Sequence, residues 1–542
     1  MLTTQAHINS SKGRYLVPSG MKYITGQNRQ QITLFPISLD DAVAADNEAR
    51  IIDLFVDSLK LQEFGFKVEF IENGRPAYRP ADLLKLYIYG YLNRIRSSRQ
   101  LEKECKRNIE VLWLLKCLKP DHNTISNFRR DNPKAIKKVF RETVRIAQYF
   151  NLIGGALIAG DSTKLRAQNS KKNNFNQKKI DRHLEYIENK LAEYNKTLAE
   201  SDGDDKEQIK KEIKKQELRK EGYKQIEQQL KESGQPQVST SDPESRQMIT
   251  RNNITEVAYN VQTTVDAKHY LPIDYKVTNT NDSKAMGDML QRAENILGNN
   301  DFTALYDKGY HTGSEFQKAD ELGIEVMVAI PAVAANAPNR EYNVEKFIFD
   351  KTTDCYTCPQ GEILTTNGRW HQAETYRFKR YTTTACKTCP AKPECSKAKC
   401  GKAIQRSEFQ ELVDNNKKRI IQNKELYRKR QQIVEHPYGT IKRQWGFNYI
   451  LTKKGINRAS ADVGFIMTVY NFRRIINTVG LKTLKEYLET VVSFNLEKMP
   501  RLKLKLSNLK VLTHQIEKRL RIQHISLKRL YLIQKLTVEI GF

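Results

Sequence analysis

Residues 156–170 read ALIAGDSTKLRAQNS, a stretch whose apolar start predicts a buried β-strand that ends at the carboxylate of Asp161. Residues 302–313 read FTALYDKGYHTG and repeat this design, because Asp307 also follows an apolar run directly. Each apolar run is short and rich in residues that favour strands. The two segments therefore predict two buried strands, each with a carboxylate at its end.

A third segment supplies another carboxylate, this time on a helix. Residues 427–446 read YRKRQQIVEHPYGTIKRQWG, and their pattern predicts a helix that carries Glu435, with Lys442 seven residues further on. A pair of divalent metal ions needs carboxylates from several rigid elements. The three acids therefore predict a two-metal site for phosphoryl transfer, and Lys442 on the same helix is a candidate point charge for a phosphate.

The segments between these acids complete an α/β pattern. Residues 257–265 and 271–277 are rich in β-branched and aromatic residues and predict two strands joined by a short turn. Helices and strands then alternate, with predicted bounds of 283–297, 302–306, 314–322 and 324–330. Without two inserted segments the element order is β-β-β-α-β-α-β-α, which places the predicted fold in the α/β class.

Two segments interrupt this order and are predicted to be inserts. In the first, residues 175–235, apolar residues recur at alternating spacings of four and three, which predicts an antiparallel helical hairpin. The hairpin is charged outside its apolar seam, so no chemistry is predicted there. The second insert, residues 340–402, contains six of the eight cysteines.

The cysteine spacing of the second insert predicts a structural metal site. Two C-x-x-C pairs can supply four thiolates to a tetrahedral Zn²⁺, whereas a disulfide framework is not expected in a large intracellular protein. The predicted zinc ligands, which make the insert similar to a zinc ribbon, are Cys355, Cys358, Cys386 and Cys389. Cys395 or Cys400 can replace one of them, and the alternative is a loop with free, reduced thiols.

The charge of the chain indicates a polyanionic partner. Its 542 residues include 91 Lys and Arg against 63 Asp and Glu, a formal net charge of +28. Nucleic acid is the natural partner for such an excess, because each neutralised phosphate releases counterions. No apolar stretch is long enough to span a membrane, and the start MLTTQAHINSSKGRYLV has no signal-peptide core. The sequence therefore predicts a cytoplasmic, nucleoid-associated protein.

The two ends of the chain are predicted to be helical. Residues 1–150 read as an all-helical domain, and within them the segment at 120–130 ends in Arg129 and Arg130. A short basic helix after a turn is typical of helix-turn-helix DNA readers, so both arginines are candidate DNA contacts. The alternative is a helical bundle with a solvated basic face. Residues 481–542 predict a basic amphipathic tail.

The three acidic segments resemble those of bacterial insertion-sequence DDE transposases, as does the Y-x-x-R…E-x6-K pattern of residues 427–442. RPADLLKLYIYGYL at 79–92 and PDHNTISNFRR at 120–130 resemble the N-terminal helical domain of one subgroup. VAYNVQTTVD at 257–266 and VTNTNDS at 277–283 are similar to the second and third strands of the family.

This resemblance implies an RNase H-like catalytic core over residues 151–480, with Mg²⁺ or Mn²⁺ held by Asp161, Asp307 and Glu435. It also implies DNA contacts by Tyr427 and Arg430, which otherwise read as packing and solvated helix residues. The expected partner is double-stranded DNA, bound by a homodimer, and the expected activity is cleavage and strand transfer. The alternatives are a nuclease or resolvase on the same fold, and a DNA-binding regulator without catalysis.

Overall fold

The computed structural model describes residues 38–66, 77–200, 202, 204–250, 254–332, 337–451 and 454–497. The helices are α1 (Glu48–Ser58), α2 (Leu61–Phe64), α3 (Pro80–Leu92), α4 (Ser98–Arg107), α5 (Ile109–Leu114), α6 (His122–Asp131), α7 (Pro133–Tyr149), α8 (Gln177–Glu200), α9 (Asp204–Ser233), α10 (Met286–Leu297), α11 (Gly313–Glu321), α12 (Lys392–Cys395), α13 (Gln410–Gln422), α14 (Lys424–Tyr438), α15 (Ile456–Val479) and α16 (Leu481–Glu497). The strands are β1 (Leu157–Arg166), β2 (Asn174–Phe175), β3 (Val238–Ser239), β4 (Arg246–Ile249), β5 (Thr255–Asp266), β6 (Pro272–Thr278), β7 (Thr303–Tyr306), β8 (Glu325–Val328), β9 (Ile348–Asp350), β10 (Cys355–Thr357), β11 (Ile363–Gln372), β12 (Arg377–Thr382) and β13 (Ile404–Ser407). Of the predicted basic tail, residues 498–542 lie outside the described residues.

The central sheet is mixed, and β1 lies in its middle. Its neighbours are β5, which is antiparallel to it, and β7, which is parallel. Strand β6 pairs antiparallel with β5, and β8 pairs parallel with β7, so β1, β6, β7 and β8 all run in one direction. The carboxyl ends of these four strands therefore meet at the same edge of the sheet. The predicted mixed α/β architecture with a helical N-terminal region is confirmed.

Strand β1 is longer than predicted. The sequence predicts an end at Asp161, but the strand continues to Arg166 because it pairs with β5 along its whole length. Thr163 and Leu165 are buried while their neighbours are more exposed, the alternation of a half-buried strand. Pairing with β7, by contrast, stops at Ala159. Asp161 thus lies inside β1, just beyond the point where β7 leaves it.

The N-terminal helices share one hydrophobic core with the rest of the chain. Helix α15 is buried along most of its length and packs against α3, α6 and α7. The ring of Tyr87 stacks on Phe465 at 4.6 Å between centroids, and Phe55 meets Phe472 at 4.8 Å. Because this apolar cluster continues from α1 to the sheet, residues 38–150 do not form a core of their own. Within the described ranges, every helix is too short or too polar to cross a bilayer.

A buried ion cluster joins α6 to α15 and corrects the prediction for Arg129. The carboxylate of Asp462 is fully buried; it receives Arg96 Nη2 at 2.6 Å and Arg129 Nη1 at 3.5 Å. Tyr91 also donates its hydroxyl to Asp462 and accepts from Arg129 at 2.8 Å. Arg129 is only 6% exposed, so the expectation that it contacts DNA is wrong. Its guanidinium instead contacts the buried Asp462 and Tyr91.

Each of the two predicted inserts forms a substructure with its own small apolar core. Helices α8 and α9 pair along their length, and the short strands β2 and β3 close their base around a small core of Phe175, Ile180 and Leu230. The cysteine-rich segment folds as a five-stranded antiparallel sheet with the order β13-β12-β11-β10-β9. This sheet has its own apolar cluster, which includes Tyr356, Leu364 and Tyr381.

Candidate active site

Asp161 and Asp307 come together through the register of β1 and β7. The last paired residues of the two parallel strands are Ala159 and Leu305. Asp161 and Asp307 each lie two residues further along, and so at matching positions of adjacent chains. Parallel strands hold such positions side by side, which is why two acids 146 residues apart in sequence become neighbours.

The carboxylate of Asp161 is largely removed from solvent. Its Oδ1 accepts the backbone N–H of Ser162 at 2.7 Å, and Arg430 Nη1 lies 3.5 Å from Oδ2. Burial raises the pKa of Asp161 to about 6, Arg430 opposes this effect, and the negative charges of Asp307 and Asp282 reinforce it. The site therefore concentrates negative charge in a place where water screens it poorly, which favours a bound cation.

Asp307 caps the tight turn that follows β7. Its Oδ1 accepts the backbone N–H of Gly309 at 2.8 Å. A Cβ atom on Gly309 would come within 3.0 Å of that same oxygen and within 3.5 Å of Asp282. Glycine at 309 thus lets the backbone approach both acids closely, and the bond to its N–H fixes the direction of the Asp307 carboxylate.

Helix α14 lies over this edge of the sheet and is tied to it at several points. Ile433 and Val434 pack against Ala159 and Leu305 in an apolar cluster. Near its start, Tyr427 donates its hydroxyl to the carbonyl of Tyr306 at 2.8 Å. The expectation of a DNA contact at Tyr427 is therefore not supported by its position, since its hydroxyl anchors α14 beside Asp307.

Tyr438 is a second anchor, one that the sequence did not indicate as part of the site. Its buried hydroxyl lies between the side chain of Thr263 on β5 and the carbonyl of Asp161, at 3.1 Å from the latter. Burial raises the pKa of Tyr438 well above its ordinary value, and the charge of Asp161 adds to the effect. Tyr438 thus stays protonated and keeps α14 attached to the strand that carries Asp161.

Lys442 reaches β1 from the turn of π-helix that follows α14, residues Gly439–Gln444. Its Nζ donates to Thr163 Oγ1 at 3.0 Å. Thr163 is two residues from Asp161 on the same strand, so both side chains are on one face of the sheet. The structure thus brings Arg430 to Asp161, and it brings Lys442 to Thr163 on the same strand; the contact of either residue with DNA stays a prediction. Single turns of π-helix are frequent at functional sites.

Glu435 is the predicted acid that the structure does not bring to the other two. It is exposed, and its Oε1 accepts Gln431 Nε2 at 3.0 Å. The preceding residue, Val434, faces the sheet, and each step along a helix turns the side chain by about 100°. Within the described part of the chain, no three Cys, His, Asp or Glu side chains are close enough together to hold a metal ion.

Asp282 is an acid at this edge that sequence reasoning missed. Its Oδ1 accepts Asn260 at 2.7 Å and Gln262 at 2.6 Å, and Lys164 Nζ lies 3.2 Å from Oδ2. Burial alone would raise the pKa of Asp282, but Lys164 and the amide donors outweigh it and lower the pKa below its usual value. Asp282 follows β6, which runs parallel to β1, so strand direction was the signal that could have located it.

Arg130 remains on the surface. Its side chain is 42% exposed, and its guanidinium pairs with the adjacent Asp131 at 2.6 Å. Helix α6, which carries it, packs against α4 and α15. The structure thus leaves Arg130 accessible to a partner, and its contact with DNA stays a prediction.

Two family models match the chain. Residues 37–131 match a transposase domain of the DUF772 type, and residues 357–476 match a transposase DDE domain. The first match covers α1 to α6, and the second covers β11 to β13, α13, α14 and most of α15. Asp161 and Asp307 lie between the two matches.

None of the curated proteins matches the chain. Among solved structures, a piggyBac transposase synaptic complex with hairpin DNA, determined by cryo-EM, shares 9% identity over 85% of this chain and 84% of that one. Its TM-score of 0.27 is too low to show a shared fold. Both family models describe transposase domains, and the second match contains the segment around Glu435; together they support an insertion-sequence DDE transposase.

Proposed function

We propose that the protein is a DNA transposase that cleaves the ends of its insertion sequence and joins them to target DNA. The observation that carries this proposal is the matched register of Asp161 and Asp307, with Arg430 beside Asp161 and Lys442 bonded to Thr163 on the same strand. We further propose that the sheet around β1 is an RNase H-like core, because β5 alone runs against β1, β6, β7 and β8.

Mg²⁺ or Mn²⁺ fits the donor set at this edge. Both cations prefer carboxylate oxygens, and Asp161 offers one whose burial and acidic neighbours raise its pKa to about 6. Asp161 and Asp307 would hold the metal. When bound, such an ion stabilises the charge that develops on phosphate oxygens and lowers the pKa of an attacking water.

Glu435 is proposed as the third carboxylate. The other candidate, Asp282, already accepts hydrogen bonds on both of its oxygens from Asn260, Gln262 and Lys164. Glu435 instead interacts with Gln431 on the exposed side of α14. Its family position supports the assignment, and substitution at Glu435 tests it directly.

The basic residues of the site have distinct proposed roles. Arg430 keeps Asp161 ionised and orients its carboxylate. Lys442 meets a DNA phosphate close to Thr163. Tyr427 and Tyr438 fix α14 against the sheet, and so position both basic groups relative to the aspartates. A scissile phosphate placed among them would have positive charge on one side and the acidic pair on the other.

The proposed substrate is double-stranded DNA, namely the two element ends and a target, held by a homodimer. The net charge of +28 supports a DNA partner, and it implies that binding weakens steeply as salt rises. Because residues 38–150 share their core with α15, DNA affinity in this region must come from its outer surface.

The experiment that tests the proposal uses the full chain, labelled duplexes of the element's own ends, a target plasmid and Mg²⁺. Joined products that disappear with EDTA support a transposase. Cleavage without joining would instead indicate a nuclease or resolvase, and a bound but intact duplex would indicate a regulator. Either of these last two results overturns the proposed strand transfer.

A further inference from the structure

A small cavity inside the cysteine-rich sheet is lined by four thiols. Its volume is about 20 Å³, enough for one water molecule or one ion. The cysteines that line it are Cys358, Cys386, Cys389 and Cys395. This set differs from the predicted one, because Cys395 is present and Cys355 is not.

Strand β10 explains why Cys355 lies elsewhere. A C-x-x-C pair converges on one ion only if the chain turns between the two cysteines, but residues 355–357 are extended. Alternate side chains of a strand point to opposite faces, so Cys355 and Tyr356 diverge. Tyr356 enters the apolar cluster, which Cys358 also contacts, while Cys355 Sγ lies 2.9 Å from Thr353 Oγ1.

Turns bring the other four cysteines to the cavity. Cys358 begins a tight turn in which Gly361 N–H donates to its carbonyl at 2.8 Å. Cys386 lies in the 3-10 turn Thr384–Lys387, and Cys389 follows it, with its carbonyl bonded to Lys392 N–H at 3.1 Å. Cys395 ends α12. The thiols therefore come from three local turns that the small sheet holds together.

Two further residues shape this cavity. Gly401 has φ +87°, and a Cβ atom there would lie 2.2 Å from Cys386 Cβ, so the backbone closes directly on that thiol. Lys402 also lines the cavity and is only 6% exposed. Four thiolates around a divalent ion leave a net charge of about −2, and a buried ammonium beside them offsets part of it.

We propose that Cys358, Cys386, Cys389 and Cys395 bind one structural Zn²⁺. Four thiolates and a tetrahedral preference match this ion, and each thiol releases its proton on binding. The sulfurs line the cavity but do not converge on one point, so zinc binding would require rotation about their Cα–Cβ bonds from one staggered position to another. With all four positions filled by sulfur, the ion has no catalytic role. This proposal does not depend on the proposed transposase activity.

Zinc analysis of full-length protein purified without chelator tests the ligand set. The wild-type chain is expected to carry about one zinc. Cys395→Ser should lose it, whereas the matched variants Cys355→Ser and Cys400→Ser should keep it. Absence of zinc from the wild-type protein, or loss in Cys355→Ser with retention in Cys395→Ser, overturns the proposal.

Alkylation of the native wild-type protein gives a second readout that does not depend on how the variants fold. With zinc bound, mass spectrometry should find Cys358, Cys386, Cys389 and Cys395 protected, while the exposed Cys117 and Cys400 react. A zinc chelator should then make the four protected thiols reactive. If Cys395 in the zinc-loaded protein reacts as fast as Cys400, Cys395 is not a ligand and the set is wrong.

Discussion

Asp161 and Asp307 lie at matching positions of two parallel chain segments, each two residues beyond the paired Ala159 and Leu305. Their proximity thus depends on strand register rather than on a loop. A shift of one residue between β1 and β7 would turn one carboxylate to the opposite face. Sheet pairing on both sides of β1 therefore preorganises the acidic pair before any metal or DNA is bound.

The buried charge of Asp161 should cost stability. Its pKa is raised to about 6, above the unfolded value of about 3.9. The folded protein therefore holds this proton more tightly, and the free energy of unfolding falls progressively as the pH rises from about 4 to about 6. Asp161→Asn should raise the free energy of unfolding at pH 7.5 by up to about 3 kcal/mol, and the gain should vanish below about pH 4. Urea denaturation across this range measures it. A gain that grows as the pH falls would contradict the account.

Arg129 and Arg130 are adjacent in sequence but should behave differently. Arg129→Gln leaves the buried Asp462 short of a partner, and should lower the free energy of unfolding by about 3 kcal/mol or more. Arg130→Gln changes an exposed side chain and should stay within about 0.5 kcal/mol of the wild type. Chemical denaturation of both variants compares them. Equal effects would show that the Asp462 cluster contributes little.

Lys442 should contribute to DNA affinity by contacting a backbone phosphate. Lys442→Gln is expected to weaken binding to all DNA sequences alike and to reduce the log–log salt slope by about one. The matched control is Lys482→Gln, an exposed lysine on α16, which packs against α1 away from the acidic pair. A Lys442 variant whose salt slope equals that of the control would show that Lys442 only tethers its turn to Thr163.

Glu435 can be tested against a second acid on the same helix. Glu425 is also an exposed glutamate of α14, and it forms an exposed ion pair with Arg428 one turn along the helix. Glu435→Gln should abolish cleavage while DNA binding persists, because it removes a ligand charge and keeps the side-chain volume. Glu425→Gln should cleave normally. If the two variants cleave equally well, Glu435 is not a metal ligand, and Asp282→Asn becomes the next variant to measure.

The acidic pair of Asp161 and Asp307 can be predicted from the sequence, because a short local pattern marks each residue. An apolar run followed by an aspartate is visible at both Asp161 and Asp307, and a sheet brings such ends together. The burial of Arg129, by contrast, could not be predicted from a local pattern. Its partner Asp462 is 333 residues away, and a basic residue on a short helix looks the same whether it faces solvent or a buried acid.

Two other predictions depended on local conformation that spacing does not reveal. The C-x-x-C spacing of Cys355 and Cys358 suits a turn, but the intervening residues form a strand. The sequence motif assigns Glu435 to the site, but the direction of its side chain depends on how α14 is rotated about its axis against the sheet. Tyr427 and Tyr438 fix that rotation through hydrogen bonds to residues more than 100 positions away in the sequence. Pairing of β10 with the neighbouring strands β9 and β11 decides the first outcome, and long-range packing of α14 decides the second.

The most direct test of the central claim is cleavage of labelled element ends by Asp161→Asn and Asp307→Asn in the presence of Mg²⁺, with DNA binding measured on the same samples. Both substitutions preserve side-chain volume and remove one ligand charge. Each variant should bind the ends about as tightly as the wild type and yield neither cleaved nor joined product. Near wild-type cleavage by either variant would contradict the assignment of the two aspartates as the metal-holding pair.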